Sequence, residues 1–121
     1  MALFRCMTTS GGGGGQCASG SFSRLNDGQT YKIPLGFRPS YFACWIYEAG
    51  ASGTGGFSNT YCSDYDTGDK ALWLTRGAQA GAIYELGTNT ANRIYKIEND
   101  GVTMGTTNAN TVGTWYYVAI E

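Results

Sequence analysis

The sequence predicts an all-β protein, an antiparallel β-sandwich or jelly-roll-like fold with about nine or ten short strands. Short apolar or alternating segments recur along the chain, and turn-forming residues separate them roughly every 8 to 12 residues. No window of helical period extends over about three turns. The 121 residues include 19 glycines and only 2 prolines, which is typical of one domain built from short strands joined by turns.

Two runs are apolar or aromatic at both alternating positions. These are residues 41–47 (YFACWIY) and residues 115–120 (WYYVAI). A half-exposed strand alternates between apolar and polar residues, whereas a strand covered on both faces reads as a continuous apolar run. We therefore expect both runs to be central strands that lie together in one core.

The N-terminal part of the chain has a different composition from the rest. Residues 11–15 are five consecutive glycines, which have no side chains to pack and a large backbone entropy to lose. We expect an N-terminal arm at residues 1–10, with an edge strand at 2–8, a glycine-rich hinge at 11–15 and a β-sandwich domain at 16–121. The arm either binds a neighbouring subunit or forms an ordinary mobile hairpin loop.

The remaining strands are predicted from alternation and from the turns that bound them. Asn26-Asp27-Gly28 and Asn99-Asp100-Gly101 are strong turn signals. Pro34 cannot donate a ladder hydrogen bond, so its strand should lie at an edge or a bulge. Phe37 lies among turn formers and is expected to fill the core. The other predicted strands are residues 21–25, 29–35, 57–65, 71–75, 80–86, 93–97 and 102–105.

Charge and hydropathy exclude several classes of partner. Charged residues make up 14% of the chain and the net charge is -1, which argues against nucleic-acid binding through a basic surface. No segment approaches the roughly 18 to 20 apolar residues of a membrane span. The apolar stretch at the N-terminus is too short for a signal peptide. We expect synthesis in the host cytoplasm, release by lysis and no membrane span.

Few residues suggest catalysis, and we expect no catalytic site, no cofactor and no enzyme activity. The chain has no histidine, which removes the commonest general base and most zinc sites. Asp64, Asp66 and Asp69 lie in the string DYDTGD, which is similar to the start of a calcium loop but has no downstream bidentate glutamate. These three residues are a weak metal candidate, and a plain acidic turn is the stronger interpretation.

The four cysteines are Cys6, Cys17, Cys44 and Cys62, and none forms a C-x-x-C pair. Cys44 has apolar neighbours and is expected to be a small buried hydrophobe. Cys6 and Cys17 flank the glycine run and could form a disulfide within the chain or between subunits. Synthesis in a cytoplasm favours free thiols instead.

Tyrosines make up nine of the aromatic residues. Tyrosine combines a large contact area with a polar tip, and an excess is typical of sugar-binding or protein-binding faces. An equally simple explanation is that β-sheets favour tyrosine and that some of these rings are core. The candidate ligand-binding residues, chosen for their aromatic rings near polar side chains, are Tyr47, Tyr61, Tyr65, Trp73 and Tyr84.

Several short motifs occur in a fixed order. They are residues 27–30 (DGQT), 33–39 (IPLGFRP), 41–47, 99–104 (NDGVTM) and, with Asn110, 113–120 (GTWYYVAI). In this arrangement the chain resembles the small β-modules of bacteriophage tail and virion structural proteins. In that group a GFxP step, a DG hairpin and a terminal YYVAI strand recur in the same order. The resemblance covers roughly residues 27–120 and leaves the glycine-rich N-terminal part outside.

The resemblance implies a virion structural protein with a β-sandwich fold. Members of the group are often outer domains of long tail proteins, whereas here the module is nearly the whole chain. This favours an oligomeric subunit, expected to be a homotrimer, that contacts other virion proteins and decorates the capsid or forms part of a tail or head fibre. The alternative is a carbohydrate-binding or host-receptor-binding module of a tail fibre. A depolymerase or other hydrolase is the least favoured interpretation.

Overall fold

The computed structural model describes residues 15–46, 56–64, 69–75, 81–107 and 112–121. These residues form nine strands and contain no helix, so the predicted all-β class is confirmed. The strands are β1 (Cys17–Arg24), β2 (Tyr31–Pro34), β3 (Tyr41–Ile46), β4 (Phe57–Cys62), β5 (Lys70–Thr75), β6 (Gly81–Glu85), β7 (Ile94–Glu98), β8 (Gly101–Met104) and β9 (Gly113–Ile120).

The strands form two antiparallel sheets, an arrangement consistent with a β-sandwich. The large sheet has six strands in the order β1-β9-β3-β4-β5-β6, and the small sheet has three in the order β2-β8-β7. In the large sheet β3 and β9 pair directly, with Tyr41 opposite Ile120 and Trp45 opposite Tyr116. The prediction that the two continuous apolar runs lie together is therefore confirmed.

The core lies between the two sheets and uses alternate residues of each strand. In β3 the buried residues are Phe42, Cys44 and Ile46. Their counterparts on the small sheet include Met104, whose Sδ lies 4.0 Å from Sγ of Cys44. Phe37 is also buried, as predicted from its position among turn formers. The other main core residues are Phe22, Ile33, Tyr61, Ala71, Ile94, Val102, Trp115 and Ala119.

The edges of the sheets agree with the predicted role of Pro34. It ends β2, which is an edge strand of the small sheet and pairs on one side only, with β8. Strand β7 forms the other edge, and its pairing with β8 shifts by one residue between Ile94 and Lys96. This β-bulge leaves Tyr95 as the extra residue.

The Asn26-Asp27-Gly28 turn is present, but it does not close a hairpin. Gly28 has a φ of 71°, and the backbone N–H of Gln29 donates to Oδ1 of Asp27 at 3.0 Å. Strand β1 pairs with β9 and β2 pairs with β8. The chain therefore crosses from the large sheet to the small sheet at this turn.

The Asn99-Asp100-Gly101 signal does mark a hairpin, between β7 and β8. Among the residues that the structure describes, the positive φ values belong to Asn92 and to four glycines, and Gly101 is not one of them. A Cβ on Gly101 would lie 2.2 Å from the carbonyl oxygen of Ile33. The glycine is needed because two backbones approach closely there.

Strand β1 begins at Cys17, four residues before the predicted start at residue 21. Its early part is small and polar, which hides the alternation. Gly20 lies opposite Tyr117, and a Cβ there would lie 3.0 Å from the Tyr117 hydroxyl oxygen. The small residue makes room for this ring.

The N-terminal predictions fall mostly outside the described residues. The arm at 1–10, the edge strand at 2–8 and all of the hinge except Gly15 lie in the part of the chain that is not described. These stay predictions. Among the described residues, no helix is long and apolar enough to cross a membrane.

Candidate functional site

The face of the large sheet that points away from the small sheet, which we call the outer face, is rich in apolar side chains. In β3 its residues are half-buried, and Trp45 stacks on Tyr116 of β9 with ring centroids 6.3 Å apart. Tyr116 and Ile120 remain 38% and 40% exposed. The expectation that β3 is covered on both faces therefore holds for one face only. Three cross-strand pairs form this part of the outer face: Tyr41–Ile120, Ala43–Val118 and Trp45–Tyr116.

A second group of apolar residues lies further along the outer face, on β5 and β6. Leu74 and Ile83 are 44% and 53% exposed, and Leu72 lies opposite Ile83. Between this group and the aromatic group runs β4, which contributes the smaller Ser58 and Thr60. The outer face thus has two bulky ridges with a valley of small side chains between them.

The outer face carries little charge. Lys70 and Glu85 are cross-strand partners at one end of β5 and β6. The other outer-face positions of the described strands are uncharged. Exposed apolar surface of this extent is typical of an interaction site rather than of a free surface.

A cleft of about 300 Å³ lies at the opposite edge of the sandwich, and we call it the edge cleft. Its walls come from the free edge of β7, the turn after β6 and the residue before β5. The backbone N–H of Gly87 donates to the Tyr95 carbonyl at 2.8 Å, which joins the β6 turn to β7. The lining residues are Arg38, Asp69, Leu86, Gly87, Tyr95, Lys96, Ile97 and Glu98.

Two cations of the edge cleft have no carboxylate within ion-pair distance among the described residues. Arg38 donates from Nη1 to the Ile97 carbonyl at 3.1 Å and lies 3.5 Å from Oδ1 of Asn99, which leaves its Nη2 and Nε. The Nζ of Lys96 lies 4.7 Å from the centre of the Tyr95 ring. Both cationic groups are exposed on residues at the mouth of the cleft.

The carboxylate of Glu98 is already engaged. Thr103 Oγ1 donates to its Oε1, and Nζ of Lys32 lies 3.2 Å from its Oε2. The hydrogen bond from Thr103, followed by that from Lys32, lowers the pKa of Glu98 below its ordinary value. Lys32 also contacts Oδ1 of Asp100 at 2.7 Å, and this hydrogen bond raises the pKa of Lys32.

The described members of the predicted sugar-binding set lie on the core side of the large sheet. Tyr61 and Tyr84 are buried, so their rings offer no face to a ligand at the surface. Trp73 is half-buried, with its ring centroid 6.0 Å from that of Phe57 and the Arg93 guanidinium 5.1 Å from its centre. The two remaining candidates, Tyr47 and Tyr65, lie outside the described residues.

The predicted calcium loop is described only in part. Asp64 and Asp69 are exposed, whereas Asp66 lies outside the described residues. Within the described ranges no group of three or more His, Cys, Asp or Glu side chains could hold a metal ion. The three-aspartate candidate stays a prediction.

The cysteines divide into two kinds. Cys44 and Cys62 are free thiols, and Cys44 is fully buried, as predicted for a small hydrophobe. Cys17 is disulfide-bonded. Cys6 lies outside the described residues, so its pairing with Cys17 stays a prediction.

The edge-cleft residues Arg38, Tyr95 and Lys96 were not among the predicted site residues. One signal in the sequence points to them. Ile94 and Ile97 are separated by three residues, which breaks the period of two expected for a strand and indicates a bulge. The bulge at Tyr95 changes the direction of the side chains after it, but the neighbours they reach depend on the fold.

Comparisons with protein-family models, with curated proteins and with solved structures found no match to this chain. The resemblance carried by residues 27–120 therefore stays a prediction. Function has to be inferred from the outer face and the edge cleft.

Proposed function

We propose that this chain is a bacteriophage virion structural protein, a non-catalytic β-sandwich subunit that assembles with other copies of itself and decorates the capsid or forms part of a tail or head fibre. The apolar outer face of the large sheet is the observation that carries this proposal. The order of motifs over residues 27–120 supports the virion context. We expect a homotrimer in contact with other virion proteins.

A second copy of the chain fits the outer face better than a charged partner does. The only charged residues on its described strands are Lys70 and Glu85, so the face offers almost nothing to a charged surface. Its ridges and valley are self-complementary in principle, because a ridge around Trp45 can enter the valley of Ser58 and Thr60 on another copy. Closed symmetric oligomers are the usual outcome for such surfaces.

The area of the outer face is sufficient for a stable contact. Six strands about 4.8 Å apart, each with about 20 Å of length, give a face of roughly 580 Å². Two copies packed face to face would bury on the order of 1,200 Å² in total, which reaches the lower end of the range for specific interfaces.

Light scattering behind size exclusion, with and without reductant, tests the assembly. We expect a closed oligomer that reductant does not dissociate. Ile83→Lys and Tyr116→Lys should yield monomers, because each buries a charge in the contact. Leu25→Lys is the matched control, since Leu25 is 68% exposed and lies outside the strands of the large sheet. A wild-type monomer at high concentration, or oligomers that survive both lysine variants, would contradict the proposal.

The virion context needs its own test. An antibody against the chain should label purified particles of the phage whose genome encodes it, and immunogold electron microscopy would give the position on the particle. Particles that lack the chain, when the infected cells contain it, would contradict a virion role.

A carbohydrate-binding or host-receptor-binding module is the second candidate function. The edge cleft favours it, because a concave site with a few convergent polar groups is the usual form of a small-ligand site. The buried positions of Tyr61 and Tyr84 give no support to the aromatic set chosen from the sequence.

A further inference from the structure

The edge cleft has an uneven balance of charge. Arg38, Lys96, Asp69 and Glu98 line it. Both carboxylate oxygens of Glu98 are engaged by Thr103 and Lys32, so this carboxylate is compensated from outside the cleft. The two cations and Asp69 remain, which gives an effective charge of about one positive unit. We propose that the edge cleft binds a monosaccharide-sized ligand that carries one carboxylate, such as a uronic acid unit.

The carboxylate follows from the donors that the cleft presents. Arg38 uses Nη1 for the Ile97 carbonyl, and its Nη2 and Nε have no protein partner among the described residues. A guanidinium edge with two parallel N–H groups matches the two oxygens of a carboxylate. The Lys96 ammonium supplies a second positive charge nearby. A single carboxylate balances the effective charge, whereas a doubly charged phosphate would exceed it.

The sugar ring follows from the size and the walls of the cleft. About 300 Å³ is at the lower end of the range for small-ligand sites, which suits one pyranose ring. Leu86, Tyr95 and Ile97 supply apolar wall surface, against which the C–H groups of a ring can pack. The carboxylate of Asp69, which also lines the cleft, is an acceptor for ring hydroxyls.

The position of the bulge supports a site built for binding. Residues 95 and 96 of a regular strand point to opposite faces, but the shift in register occurs between Ile94 and Lys96. The ammonium of Lys96 consequently lies over the ring of its neighbour Tyr95. Bulges that redirect side chains in this way are frequent beside binding sites.

The proposal makes a sign prediction for residues that do not touch the ligand. Lys32 contacts Glu98 but does not line the cleft. Its replacement in Lys32→Gln leaves the Glu98 charge uncompensated and should weaken binding of the anion. Glu98→Gln removes the same charge and should strengthen binding. A purely steric site would respond to neither change in this way.

The test is a titration of the ¹⁵N-labelled protein, followed by NMR, with D-glucuronate, D-glucose and inorganic phosphate as probes. We expect glucuronate to shift the amide signals of β7 and of Gly87, and glucose to bind at least about tenfold more weakly, because it lacks the charged group. Lys96→Gln should weaken glucuronate binding about tenfold. Lys70→Gln is the matched control, with the same change of charge on the outer face, and should bind as the wild type does.

Three outcomes would overturn the proposal. They are equal binding of glucose and glucuronate, no shift of the β7 amides by glucuronate, and phosphate displacing glucuronate at a lower concentration, which would indicate a simple anion site. Lys96 is exposed, so its variant is expected to fold, and its amide spectrum checks this directly. Arg38→Lys is a second variant that keeps the charge and loses the planar pair of donors.

The edge cleft and the outer face are separate surfaces, so the two proposals fail independently. Ile83→Lys should still bind glucuronate when it no longer assembles. Conversely, Lys96→Gln should assemble as the wild type does. If assembly failed and glucuronate still bound at β7, only the proposed subunit role would be wrong.

Discussion

The Tyr84 hydroxyl donates a hydrogen bond to Oδ1 of Asn59 at 2.7 Å, across the small side chain of Ala71, which lies opposite Tyr84 on β5. The same hydroxyl accepts from the backbone N–H of Ile94 at 3.0 Å. Asn59 Nδ2 in turn donates to the carbonyl of Asn92 at 2.9 Å. These bonds connect β4 and β6 of the large sheet to the β7 edge of the small sheet, so Tyr84 is a structural residue.

Tyr84→Phe should destabilise the fold. It leaves the Ile94 N–H and the Asn59 carbonyl oxygen buried without their partner, which costs about 1 to 3 kcal/mol. Burial raises the pKa of Tyr84, so the hydroxyl remains a donor over the whole working range of pH. Urea unfolding measures the loss. Tyr116→Phe, a hydroxyl removed from the half-exposed outer face, is the control and should cost less than about 0.5 kcal/mol.

Gly101→Ala should destabilise the fold more than Gly81→Ala. A Cβ at Gly101 meets the Ile33 backbone oxygen at 2.2 Å, whereas at Gly81 the nearest atom is the end of the Leu74 side chain at 2.5 Å. A side chain can rotate away, but the β2 backbone is held by its pairing with β8. We expect a loss of about 2 to 3 kcal/mol for Gly101→Ala and about 1 kcal/mol or less for Gly81→Ala. Equal thermal shifts for the two variants would refute this account.

The two free thiols should differ in reactivity. Burial raises the pKa of the Cys44 thiol to about 12, and the residue has no exposed surface. Cys62 is half-buried on the outer face, opposite Tyr41. Iodoacetamide at about pH 8, followed by peptide mass spectrometry, should label Cys62 in the folded protein and Cys44 only after unfolding, because the thiolate is the reactive form.

The labelling of Cys62 also reports on assembly. If copies pack through the outer face, its rate should fall as the protein concentration rises. The Ile83→Lys variant should show no such fall. A rate that does not depend on concentration in the wild type would place the contact elsewhere.

Acid should reduce the contribution of the Lys32 cluster to stability. Hydrogen bonds lower the pKa of Asp100, through Lys32, and of Glu98, through Thr103 and then Lys32. Groups with a lowered pKa contribute stability above their ordinary value, and the contribution is lost as the pH falls through the lowered value. The raised pKa of Lys32 keeps its own contribution present until the pH rises through that value.

We therefore expect Lys32→Gln to have a lower Tm than the wild type near pH 7, by a small amount because the cluster is exposed. The difference should shrink below about pH 4, where the carboxylates take up protons. It should also shrink in about 1 M salt, which screens exposed charges. A difference that stays constant from pH 7 to pH 3 would show that the charges are not its cause.

Local features of the sequence sufficed for the class of the fold and for its central strands. The two continuous apolar runs predicted the β3–β9 pair, and the position of Phe37 among turn formers predicted its burial. The same could not be done for the site. Tyr61 and Tyr84 have the composition of a binding face, yet the large sheet turns both toward the small sheet. The period of two assigns alternate residues to opposite faces, but it does not say which face another sheet covers.

The sequence by itself determined an all-β domain with little charge, no histidine and a strand that is apolar on both sides. Only the tertiary structure decided that the second side of β3 lies open beside Tyr116, and that Arg38 and Lys96 meet at the edge of β7. Both are long-range relationships, because they depend on strand order, on a crossover at Gly28 and on one bulge at Tyr95. Alternation and turn signals are local and carry no information about which distant segments become neighbours.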